Sequence, residues 1–373
     1  MWVETARLVI CEKAASSLSD DLNRLKVMSG YQYQLGLTGN RTSATEPGGR
    51  ALVWSYDGIY RLTQETITLD PHSNNGTVSY SLDPVGNRLS QTSSLPGIPT
   101  VSFTYDSDDR IFSTEQYDNN GNTIVSGART FEYDFENRVK SMNNSAVTLQ
   151  YDGDGNRVAK TEGGVTTRYL VDNLNPTGYA QVVGEISDSG VQRTYTFGRQ
   201  RIHQSQLLNS SWTPNFYGYD GGGSVRILTN SAGTVTDTYD YDAWGNRINA
   251  TGSTPNVYLY RGEQYDPDLN LYYLRARYFN PLSGRFLTKD PASGDVIHPL
   301  TLQKYLYSNG DPLDGIDPSG LQTSAQGSTT GTNGAVAVTP EAGGYIHDNV
   351  EIGPFLRAEF SSYVKAEIIN FAV

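Results

Sequence analysis

The stretch Tyr151-Asp152-Gly153-Asp154-Gly155-Asn156-Arg157-Val158 decides the reading of this chain. A strand-forming aromatic is followed by Asp, Gly and Asn, which bond their own backbone or tolerate positive φ, and then by Arg and a β-branched residue. That order predicts a strand ending at Tyr151, a turn over 152–156 and a return strand starting at Arg157. The flank Val147-Thr148-Leu149-Gln150 alternates with a period of two, as a strand does. The pattern recurs as Tyr133-Asp134-Phe135-Glu136-Asn137-Arg138-Val139 and as Tyr241-Asp242-Ala243-Trp244-Gly245-Asn246-Arg247-Ile248. Weaker copies start at Tyr56, Tyr80, Tyr105, Tyr117 and Tyr219. From Tyr56 through Tyr80, Tyr105 and Tyr133 to Tyr151 the steps run from 18 to 28 residues, which means one hairpin per repeat with loops of variable length. A lone hairpin is unstable in water, so the repeats are expected to pair edge to edge into one continuous sheet, with Tyr and aliphatic residues on a shared face.

Composition agrees with an all-β chain. Among 373 residues there are 26 Tyr and 38 Gly, while charged residues reach only 18%. Such a chain is too poor in charge for a coiled coil, and its 37% hydrophobic content argues against global disorder. The net charge of −12, without any Lys/Arg run, excludes a partner that must be gripped along a phosphate backbone, so no nucleic acid is expected. One cysteine, Cys11, permits no internal disulfide, and His72, His203, His298 and His347 show no ligand spacing. No metal and no cofactor are therefore expected. Asp152-Gly153-Asp154-Gly155-Asn156 begins like a calcium loop, but its twelfth position is Gly163 where a bidentate Glu is needed. No apolar run approaches the roughly 20 residues of a membrane span. The N-terminus lacks the basic-then-apolar order of a signal peptide.

Towards the C-terminus the sequence becomes more distinctive. Tyr260-Arg261-Gly262-Glu263-Gln264-Tyr265-Asp266 leads into Leu271-Tyr272-Tyr273-Leu274-Arg275-Ala276-Arg277-Tyr278-Phe279-Asn280-Pro281. Then come Gly284-Arg285-Phe286-Leu287-Thr288-Lys289-Asp290-Pro291, Tyr305-Leu306-Tyr307-Ser308-Asn309 and Asp317-Pro318-Ser319-Gly320-Leu321. With the Tyr-Asp repeats, this order resembles the RHS/YD-repeat family and its RHS repeat-associated core, a family that includes insecticidal toxin complex C-subunits and teneurins. The resemblance implies a spiral of antiparallel hairpins forming part of a cocoon-like shell, closed by a C-terminal core plug. It divides the chain into an N-terminal segment 1–28, repeats over 29–256, the core over 257–321, and a linker with a variable tail over 322–373. Ser17 to Leu25 reads as the start of a short helix or as a ragged edge. In the tail, a Ser/Thr/Gly run is followed by an amphipathic helical pattern from Phe355 to Phe371.

The resemblance also implies chemistry. Similar proteins free their tail by self-cleavage through an aspartyl-protease-like pair, which here would be Asp290 and Asp317, cutting between Leu321 and Gln322. Two carboxylates sharing one proton can activate a water and protonate the leaving group. Arg285 and Lys289 would support the pair by holding a carboxylate ionised. Asp-Pro also opens turns, and by residue type alone that plainer reading leads; the resemblance brings the two level. Asp295, Asp311 and Asp314 are nearby substitutes. Two functions follow. One is a shell that encapsulates its own polymorphic-toxin-like tail as cargo, with a shell-completing or secretion partner. The other is a structural or adhesive cell-surface module binding protein or carbohydrate. The resemblance places either one outside the cell or on its surface.

Overall fold

The computed structural model describes residues 17–20, 22, 24–294, 296, 297, 299–321, 324 and 325. Cys11, Asp295, His298, Gln322, His347 and the pattern Phe355–Phe371 lie outside the described residues. Each Tyr-Asp copy folds as its residue types dictate. Strand Val147–Tyr151 turns into Arg157–Glu162, and Val235–Tyr241 turns into Arg247–Thr251. In the turn the Asp carboxylate organises everything. Asp152 Oδ1 accepts the Asn156 backbone N–H at 2.9 Å, and its Oδ2 accepts the Asn156 side-chain amide at 3.1 Å. In a second version Arg takes the place of Asn: Arg138 Nε donates to Asp134 Oδ2 at 2.7 Å.

The ladder slips by one residue just before the aromatic, between Gln150 and Tyr151 and again between Asp240 and Tyr241. Such bulges re-aim the side chain that follows. The re-aimed phenol reaches back to the preceding repeat. Tyr56 donates to the Arg41 carbonyl at 2.6 Å, Tyr105 to Arg88 at 2.9 Å and Tyr133 to Thr123 at 2.7 Å. Tyr151, Tyr219 and Tyr241 do the same to Val139, Arg201 and Val225. In every case the acceptor is the first residue after the previous turn. Burial pushes the phenols of Tyr133, Tyr151 and Tyr241 well above the usual tyrosine range, so they remain donors.

The strands follow one another in strict chain order, but in two sheets rather than the single one expected. The first has nine strands, Ser17–Ser19 to Val101–Ser102, and the second fourteen, Glu115–Tyr117 to Arg247–Thr251. Between them the ladder thins to the single bridge Tyr105–Ile111. There the Thr104 N–H donates to Ser113 Oγ and the Ile111 N–H to the Tyr117 hydroxyl, so side chains take bonds that a ladder would use. Two further readings need correction. Ser17–Ser19 and Leu25–Met28 are strands of the first sheet, not a helix, because Asp20 and Arg24 build one more Asp-x-x-x-Arg turn. The sheet thus begins inside the segment 1–28. In the copy assigned to Tyr80, the turn follows Leu82: Leu82 pairs with Arg88, and Asp83 is the capping acid. Tyr80 lies two residues earlier, buried against Trp244.

The spiral brings segments some 180 residues apart into contact. Glu46 meets Arg226 at 2.9 Å, Arg50 donates to the Tyr241 carbonyl at 3.3 Å, and the Gly221 N–H donates to the Tyr33 hydroxyl at 2.8 Å. The core, 257–321, contributes a four-stranded sheet, Gln264–Asp266, Leu271–Leu274, Arg277–Asn280 and Arg285–Phe286. Tyr272 and Phe279 join the hydrophobic cluster that contains Tyr33, Trp54, Tyr241 and Trp244. Leu271 and Tyr278 pack with Phe131, Val139 and Leu149. The stapling tyrosines should therefore dominate the stability of the repeats. Tyr241→Phe is expected to cost about 1 kcal/mol through the lost hydrogen bond. Tyr241→Ala should cost about 3–5 kcal/mol, and Asp154→Ala, in an exposed turn, should stay within about 0.5 kcal/mol. Urea denaturation checks this; equal losses at Tyr241 and Asp154 would contradict the stapling.

Candidate self-processing site

Asp290 and Asp317 lie 27 residues apart in sequence, and the fold brings both to one guanidinium. Arg277 Nη2 stands 2.8 Å from Asp290 Oδ2 and 3.5 Å from Asp317 Oδ2. Each acid divides its work between its two oxygens. Asp290 Oδ1 accepts the Ala292 N–H at 2.8 Å, and Asp317 Oδ1 accepts the Leu321 N–H and the Ser319 hydroxyl, both at 3.1 Å. The turn reading and the paired-acid reading thus describe different oxygens of the same residues. Asp317 is almost fully buried, and Asp290 is half-buried.

The segment that follows Asp317 is laid across the hairpin turn 274–277. Arg275 Nη1 donates to the Pro318 carbonyl, the Ala276 N–H to Ser319 at 3.2 Å, and Arg277 Nε to Gly320. Three consecutive carbonyls are held by three consecutive residues. Gly320 sits at φ +71°, and a Cβ there would lie 2.3 Å from the Leu274 carbonyl oxygen, so the close approach requires glycine. Ser324–Ala325 pairs antiparallel with Gly315–Ile316. Exposed Leu321, at the end of the loop that opens at Asp317, is the last described residue before the Leu321–Gln322 bond. A cavity of about 120 Å³ borders this loop, lined by Ile316, Asp317, Pro318, Tyr179, Arg201 and Tyr307 among others. It is large enough for several water molecules.

The expected supporting cations lie elsewhere. Arg285 is buried, but its guanidinium donates to Asn87 Oδ1 at 2.6 Å and to the Asp109 carbonyl, between the rings of Tyr105 and Tyr305. Lys289 is exposed. Arg277 takes the place next to the acids, stacked at 3.7 Å over Phe286. The sequence did hold a signal for it: an arginine inside the aromatic run Leu271–Phe279 is bound for the interior and must bring acceptors with it. Asp311 and Asp314 belong to a different turn. The Asp314 carboxylate accepts the Arg41 N–H at 3.0 Å, and burial, with Asp314 alongside, pushes Asp311 up to about 7. Among the described residues, no group of three or more His, Cys, Asp or Glu side chains is arranged to hold a metal.

A second acid pair, one that the sequence did not single out, closes the seam between the sheets. Glu65, from strand Leu62–Thr68, accepts the Trp54 indole N–H at 3.0 Å and the Ala243 N–H at 2.8 Å. Its neighbour Asp242 caps the last Tyr-Asp turn, accepting the Asn246 N–H at 2.8 Å. Arg50 and Arg88 are the cations that face the pair.

The teneurin YD-shell family profile matches residues 51–313. The chain belongs to that family. It is 33% identical over 285 residues to the tRNA3(Ser)-specific nuclease WapA of Bacillus spizizenii, covering 71% of this chain and 12% of that protein. The tRNA nuclease WapA of Bacillus subtilis is 32% identical over 281 residues, with the same coverage. This chain thus spans only about an eighth of the WapA proteins. Among solved structures, the TcdB2-TccC3-Cdc42 crystal structure superposes with a TM-score of 0.63 over 78% of this chain and 17% of that chain, at 18% identity. That likeness confirms the fold: antiparallel sheets of a YD shell.

The seam yields a pH prediction. Burial, reinforced by Asp242, pushes Glu65 up to about 7, and burial pushes Asp242 up to about 6. Folded acids that hold their protons more tightly than unfolded ones stabilise the fold below the ordinary carboxylate range, and that contribution is lost as pH rises through the folded values. The thermal midpoint should fall between about pH 4.5 and 7.5, and Glu65→Gln should flatten that slope. Melting curves across this window provide the check.

Proposed function

We propose that this YD shell carries the segment beginning at Gln322 as a polymorphic-toxin-like cargo, and that it cuts the Leu321–Gln322 bond with Asp290 and Asp317. The observation that carries the reading is the meeting of both acids on one guanidinium, beside the segment that ends at Leu321. In the reaction, one carboxylate takes a proton from water as its oxygen attacks the Leu321 carbonyl carbon. The carbon–nitrogen bond breaks and the other acid protonates the departing Gln322 nitrogen, leaving a carboxylate and an amine. The cavity beside Asp317 supports access for that water. The nuclease names of the WapA relatives support a toxic cargo, delivered outside the cell or at its surface and assisted by a shell-completing partner. Among the described residues no helix is long and apolar enough to cross a membrane.

Intact-mass measurement on freshly purified protein tests the proposal. The wild type should resolve into pieces of 321 and 52 residues without added protease. Asp290→Asn and Asp317→Asn should each keep the full mass while melting as one folded chain. Wild-type protein that stays whole at every pH from acidic to neutral overturns the self-cleavage.

A further inference from the structure

Arg277 is the one described side chain that touches both candidate acids and also the main chain next to the bond. Its Nη2 bridges Asp290 and Asp317, its Nε donates to the Gly320 carbonyl, and its Nη1 donates to the Lys304 carbonyl at 3.2 Å. The Asp290 N–H donates to that same Lys304 carbonyl at 2.9 Å, so acid and arginine share a backbone anchor. The Arg277 side chain is only 4% exposed and lies over Phe286, and desolvation lowers its affinity for the proton while Asp290 and Asp317 offset only part of that. A planar fork of five N–H groups can serve four acceptors in fixed directions; an ammonium cannot.

We infer that Arg277 is the positioning residue of the cut: it gathers Asp290 and Asp317 and fixes Gly320, the residue before Leu321, against them. This deepens the self-processing reading and rests on it. A fixed cation between two acids sets how far apart they stand, and it also sets the pH at which the pair carries a single proton. Removing the cation favours protonation, so the pH of fastest cutting moves upward. Misplacing reacting groups by about 1 Å costs roughly a hundredfold in rate. A residue that merely filled space would lower the rate together with the melting temperature and would leave the pH optimum where it was.

The test follows self-cleavage of refolded full-length chain by mass, from acidic to neutral pH, in wild type, Arg277→Gln and Arg277→Lys. Wild type that does not cut at all sinks the self-processing reading itself, and the inference with it. Given a cutting wild type, Arg277→Gln should be slowed about a hundredfold with its optimum shifted to higher pH, and millimolar guanidinium should restore part of the rate. Arg277→Lys, which keeps the charge and the stem, should also be slowed, since one ammonium cannot hold all four acceptors. Should Arg277→Gln fail to fold, the lysine variant decides. Cutting at the wild-type rate in either variant, slowed cutting with an unmoved optimum in Arg277→Gln, or a rate loss in Arg277→Lys that merely tracks a lowered melting temperature overturns the assignment.

Discussion

A tyrosine hydroxyl that donates to the carbonyl just past the previous turn holds successive repeats together. Tyr56, Tyr105, Tyr133, Tyr151, Tyr219 and Tyr241 all make this bond. Ladder hydrogen bonds would hold any flat sheet, but they do not say how one hairpin should lean on the last. The phenol does, because its ring buries a large apolar area while its oxygen must find an acceptor. The bulge before the aromatic turns the ring inward, and the Asp-capped turn fixes how far the return strand lies from it. These constraints act together. They produce strands in strict chain order, without crossovers, over nine strands and then fourteen.

The same turns explain why the interior is full of arginine. At Asn87 and Asn156 the amide completes the Asp cap and the next residues, Arg88 and Arg157, are buried; Arg41 is buried too, after a turn from Gly36 to Asn40, whereas Arg247 after the capped Asn246 is exposed. The buried guanidinium groups stack on tyrosines, as Arg88 does on Tyr80 at 4.6 Å and Arg157 on Tyr273 at 4.5 Å. A buried cation without acceptors would be expensive. The core supplies them: Asp266 receives Arg157 at 2.9 Å, and the Leu282 carbonyl receives Arg88 at 3.1 Å. The plug is thus bound to the shell by directional polar contacts as well as by packed aromatics.

This division marks what the sequence could and could not reveal. The hairpins were legible because Tyr, Asp, Gly, Asn and Arg act within a dozen residues of one another, and local chemistry settles their turns. The Leu82 turn was misplaced because an aliphatic residue serves there as well as Tyr in front of Asp83. The strands at Ser17–Ser19 and Leu25–Met28 were missed because their turn has no tyrosine at all. The break after Val101–Ser102 depends on Ser113 and Tyr117 side chains competing for backbone N–H groups, which no periodicity displays. At the candidate site the two aspartates stood out through Asp-Pro. Their shared partner did not, since Arg277 reaches Asp317 only across 40 residues, and Arg285, nearer in sequence to both acids, is drawn off by Asn87.

Such a site depends on parts that lie far apart in the chain. Arg277 lies in the third strand of the core sheet, Asp290 after its fourth, and Asp317 just past Gly315–Ile316. None of these segments can hold the arrangement alone: Arg277 needs Phe286 beneath it, and the loop after Asp317 needs the turn 274–277 to lie on. The core sheet in turn rests on the shell, through Tyr272 on the Gly245 carbonyl and Tyr305 on the Gly121 carbonyl. The meeting of the acids therefore depends on the core sheet and on the shell it rests on.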